Sequence, residues 1–61
     1  MRNFFCIFCV TSGFDESIME SYTTRELVLA FNHESDAIRT CDVLRTLHPR
    51  SRYEVLMITA L

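Results

Sequence analysis

The sequence predicts a small α+β domain of β-β-α-β order, a three-stranded sheet with one helix packed on one face. Three observations carry this. Residues 3–12, 25–32 and 52–61 are rich in aromatic, β-branched and aliphatic side chains, the composition of strands. Between the second and third of these runs, apolar residues recur at a helical period until Pro49 stops them. Finally, 61 residues that are 49% hydrophobic, with one Gly and one Pro, suffice for one core, so residues 1–61 read as a single domain.

The first run, NFFCIFCVTS, is a strand, and Gly13 after it reads as a turn residue. Residues 14–24 are acidic and hydroxyl-rich, which argues against a long helix and leaves a loop, a helical turn or an irregular edge strand open. The second strand places Leu27, Leu29 and Phe31 on one face. Asn32 or His33 then caps a helix whose first turn carries Glu34 and Asp36. Its apolar stripe is Ala37, Ile38, Cys41, Leu44 and Leu47, and His48 suits its negative C-terminal end. The third strand follows. Strands one and two should be antiparallel neighbours, while the helical crossover allows strand three to lie parallel to strand two or to return antiparallel.

A half-buried strand alternates apolar with polar residues, and these strands do not. One helix covers one side of a sheet, so an apolar face is left over. Phe5, Ile7, Leu56 and Ile58 are expected to form it, covered by a second copy in a two-fold homodimer. The alternative is a fold-back of the acidic segment, with Phe14, Ile18, Met19 and Tyr22 as the cover.

Several functions are excluded or disfavoured. No run approaches the roughly 20 apolar residues of a membrane span. Six arginines, no lysine and eight acids give a net charge of −2, so a general nucleic-acid binder is not expected. Three cysteines make no disulfide framework and point to a reducing cytoplasm. Cys6 and Cys9 spell a redox or zinc pair, but residues three apart on a strand diverge. His33 and His48 bracket the helix, roughly 22 Å apart at 1.5 Å per residue, and read as caps rather than as ligands. No metal site, cofactor site or catalytic grouping can be assembled, and the chain is read as a non-enzyme.

The acidic segment carries the functional signal. Asp15, Glu16 and Glu20 lie with Ser17, Ser21 and Tyr22 around the apolar pair Ile18-Met19, a pattern that can imitate a phosphate backbone beside an apolar contact. Glu16-Ser17-Ile18 resembles the Glu-Ser-Ile element of phage-encoded uracil-DNA glycosylase inhibitors, and the size and element order are similar to those of small dimeric inhibitors of this type. The resemblance implies an edge strand lying in the DNA groove of the host enzyme, with Glu16 mimicking phosphate and Ser17 and Ile18 beside it. It also implies a helix–sheet pocket that takes up the enzyme's apolar loop. Met19, Leu27, Leu29, Ile38 and Cys41 are proposed for that pocket from the predicted seam alone, with Glu20 adding charge nearby. The alternatives are another host-directed inhibitor, for instance of RNA polymerase, acting through Arg45, Arg50 and Arg52, or a structural or regulatory homodimer.

Overall fold

The computed structural model describes residues 1–61. Its elements are β1 (Arg2–Asp15), β2 (Glu20–Phe31), α1 (Glu34–Leu47) and β3 (Arg52–Ala60), the expected β-β-α-β order. The sheet order is β2-β1-β3, with both pairings antiparallel. β2 and β3 therefore run in the same direction but are not neighbours, because the N-terminal strand lies between them. That arrangement gives the most apolar strand two neighbours and satisfies its backbone on both sides.

Two long strands replace the open assignment at residues 14–24. β1 continues through Gly13 to Asp15, β2 begins at Glu20, and a four-residue turn, residues 16–19, joins them. Gly13 is thus a strand residue and not the turn residue expected. It lies opposite Tyr22, and a Cβ built there would overlap the Tyr22 ring, so the missing side chain makes room for the aromatic. The positive backbone angle falls instead on Met19, with φ 55°.

A β-bulge corrects the face assignment of β2. Ile7 pairs with Leu29 but Phe8 pairs with Leu27, leaving Val28 as the additional residue. Leu27 therefore shares a face with Cys6 and Phe8, while Leu29 and Phe31 share the other with Ile7 and Phe5. Across β3, Phe5 and Ile7 pair with Met57 and Val55, whereas Phe4 and Cys6 pair with Ile58 and Leu56. The expected dimer face of Phe5, Ile7, Leu56 and Ile58 does not exist as one surface: its two halves lie on opposite sides of the sheet.

The helix sits on the Ile7 side. Ile7 is 0% exposed at the centre of the sheet, Ala37 and Cys41 of α1 are buried, and the His48 ring at the helix end lies 6.5 Å from that of Tyr53, which pairs with Cys9 on this face. The Arg45 guanidinium fixes the same end by donating to the Tyr53 carbonyl at 3.0 Å. The working stripe is narrower than the sequence suggested: Leu44 is half-buried, while Ile38 and Leu47 are exposed on the two flanks. His33 occupies the N-cap with an extended backbone but makes no capping hydrogen bond through its side chain, so only its position matches the expected role. His48 is the C-cap, and its N–H donates to the Leu44 carbonyl.

β3 pairs with β1 only as far as the Val10–Arg52 pair. Beyond it, residues 11–24 continue as a two-stranded arm of five residue pairs and a turn, about 16 Å of ribbon at 3.3 Å per residue. The acidic segment consequently points away from the sheet and does not fold back over it. The radius of gyration, 13.9 Å, records this elongation, since a compact chain of this length would have about 10.5 Å.

Candidate binding surfaces

Three surfaces remain once the core is accounted for. The first is the tip of the arm. Asp15 closes the turn as an Asx cap: its Oδ1 accepts the Ser17 hydroxyl at 2.6 Å and the Ser17 N–H at 2.9 Å. These donors, the hydroxyl first, hold the Asp15 carboxyl below its ordinary pKa. Glu20 is the cross-strand partner of Asp15 and Glu16 follows Asp15 in the turn, so three carboxylates lie within six residues at the arm tip, with no basic residue anywhere in 11–24. Like charges opposed across a ribbon cost stability. Ile18 and Met19 stand exposed beside them.

The second surface is the sheet face opposite the helix. Phe4, Phe8, Leu27, Leu56 and Ile58 lie on it around the buried Cys6. Leu27 is 56% exposed, Ile58 43% and Leu56 41%. At one end of this patch Arg25 of β2 reaches over β1 to Glu54 of β3, with Nε to Oε2 at 3.1 Å. This ion pair was not legible in the sequence, because its partners are 29 residues apart and meet only through the central strand.

The third is a basic corner where β3 begins. Arg50, Ser51 and Arg52 line a shallow cleft of about 280 Å³ with Thr11, Ser12 and the Cys9 and Val10 positions of β1. Neither Arg50 nor Arg52 is in an ion pair. Arg45, grouped with them in the sequence reading, is occupied instead by the Tyr53 carbonyl and by Asp42 at 3.4 Å.

The chain matches no protein-family model, no curated protein and no solved structure.

The residues singled out from the sequence divide sharply. Glu16, Ser17, Ile18, Met19 and Glu20 are together, at the turn and the first residue of β2, rather than along an edge strand. The pocket group is dispersed. Met19 is at the arm tip, Leu27 is on the open face, Leu29 is on the helix face, Cys41 is buried under the helix, and Ile38 is on its exposed flank. No cavity is lined by them. The bulge at Val28 and the outward course of the arm are the physical reasons. Cys6 and Cys9 lie on opposite faces with free thiols, and no three His, Cys, Asp or Glu side chains are close enough to hold a metal ion. No helix is long and apolar enough to cross a membrane.

Proposed function

We propose that this chain is a non-catalytic inhibitor-type protein whose arm inserts its acidic tip into the basic, phosphate-gripping groove of a DNA-handling enzyme. Uracil-DNA glycosylase is the target named by the Glu16-Ser17-Ile18 resemblance. The observation that carries this reading is the arm itself: residues 11–24 project past β3, hold no basic side chain and end in Asp15, Glu16 and Glu20. A groove lined with cations relieves the repulsion that these carboxylates exert on one another when the protein is free. Ile18 and Met19 supply the apolar part of the contact directly from the tip, in place of a receiving pocket. Binding of this kind weakens with salt, because the carboxylates are exposed and screened.

The test mixes the chain in excess with a uracil-DNA glycosylase and uracil-containing DNA. Excision should fall, and Glu16→Ala combined with Glu20→Ala should weaken inhibition at least tenfold. Undiminished excision, or equal inhibition by the double variant, overturns the reading. The unpaired guanidiniums of Arg50 and Arg52 favour a second reading, an inhibitor that docks on an acidic protein surface such as one on RNA polymerase. Charge reversal at both positions would abolish that interaction and leave glycosylase inhibition intact.

A further inference from the structure

We infer that the protein forms a two-fold homodimer through its arms. Residues 11–15 of β1 pair edge to edge and antiparallel with the same residues of a second copy, and each acidic tip seats against the other copy's Arg50 and Arg52. The dimer follows from the shape of the arm, whatever target the arm has. β3 stops at the Val10–Arg52 pair while β1 runs on to Asp15. Along residues 11–15 the N–H and C=O groups that turn away from β2 therefore have no strand partner. Thr11 to Phe14 carry neither charge nor proline, the usual devices that blunt such an edge. The cleft lined by Arg50, Ser51 and Arg52 lies in the notch where β3 ends, beside Thr11 and Ser12.

Charge selects a second copy as the strand that fills the notch. An antiparallel strand beside residues 11–15 runs in the direction of β3 and aims its C-terminal end at Arg52. When that strand is the partner's own β1, paired about Gly13, the partner's Asp15 lies opposite Thr11, one position short of the Val10–Arg52 pair. Glu16 follows Asp15 in the chain and Glu20 is its cross-strand neighbour, so the carboxylates of one tip meet two guanidiniums that have no ion pair of their own. Glu54, the acid nearest to Arg52 along β3, is already paired with Arg25 and leaves the corner positive. The two-fold repeats this contact at the other end, because the arm's length of about 16 Å is also the distance from corner to tip. Antiparallel pairing also keeps the two acidic tips apart, whereas parallel pairing would set them side by side. A cationic groove on a target competes with the second copy for the same tips.

Sedimentation equilibrium of the intact chain across the micromolar range tests this at low and high salt. At about 0.1 M sodium chloride the expected mass is twice 7.2 kDa. At about 1 M, where the screening length falls from about 10 Å to about 3 Å, the dissociation constant should rise about tenfold or more. Arg50→Glu with Arg52→Glu should be monomeric alone, and so should Glu16→Arg with Glu20→Arg. An equimolar mixture of the two should restore a dimer, since each tip again meets a corner of opposite sign. Should either variant unfold, amide exchange in the unaltered chain still decides the matter: the outward amides of residues 11–15 should slow as protein concentration rises, while those on the outer edge of β2 should not. A 7.2 kDa species at every concentration overturns the inference. So does a dimer that salt leaves unmoved, a mixture of the two folded variants that stays monomeric, or exchange in residues 11–15 that ignores concentration.

Discussion

Truncating Ile7 to Ala tests where the helix sits. Ile7 is 0% exposed, held between Leu29 and Val55 of the flanking strands and roofed by α1 at Ala37 and Cys41. Removing three carbon atoms at about 0.8 kcal/mol each forfeits roughly 2.4 kcal/mol of transfer free energy. The cavity left in a rigid three-strand setting raises the loss to about 3–4 kcal/mol, within the range for such truncations. The whole stability expected of 61 residues is about 3–9 kcal/mol, so the variant should sit near its unfolding threshold at room temperature. Leu29→Ala on the same face is the control: Leu29 is 44% exposed, and its truncation should cost about 1 kcal/mol. Urea titrations followed by circular dichroism, at one fixed protein concentration, give both values. A loss below about 1 kcal/mol for Ile7→Ala, or a larger loss for Leu29→Ala, would refute the placement of the helix over the centre of the sheet.

Two predictions concern the arm. Met19→Gly should relieve a left-handed residue that costs an L-amino acid about 1–2 kcal/mol, offset by the added unfolded-state freedom of Gly. The net gain of about 0.5–1 kcal/mol should slow amide exchange in residues 11–24 by about two- to fivefold, and unchanged exchange would contradict the turn geometry. Asp15 sets the pH dependence. Because its pKa is lowered in the folded chain, its contribution to the turn is complete above the ordinary carboxylate range and is lost as the pH falls through the depressed value. Ser17→Ala should return the Asp15 titration, followed by carbonyl chemical shift, toward its ordinary position; an unmoved titration would remove Ser17 as the cause.

The fold class was legible because its signals are local. The helix is bracketed by its acidic first turn and by Pro49, and the strand composition of β1 and β3 is strong. Three features were not legible, for physical reasons. The run Leu27-Val28-Leu29-Ala30-Phe31 is apolar throughout, so alternation cannot reveal the bulge that reverses its phase. Residues 11–24 carry hydroxyls and acids because both faces of a projecting ribbon meet solvent, which erases the apolar alternation by which strands are recognised. Gly13 reads as a turn until Tyr22 is seen opposite it. As for the candidate site, the Glu16–Glu20 cluster survives because it is contiguous in the chain, whereas the pocket residues were joined only by an assumed seam that the bulge breaks.

The position of β1 at the centre of the sheet has a consequence for biosynthesis. The earliest of these three strands to be synthesised is completed by the latest of the three, with Asn3 accepting a hydrogen bond from Thr59 across 56 residues. Loop closure over such a span is slow compared with forming the β1–β2 hairpin. A nascent chain on the ribosome must therefore carry its most apolar strand with one side unpaired until residues 52–60 emerge. That interval is when aggregation threatens this protein most, and a chaperone that binds extended apolar segments would act there.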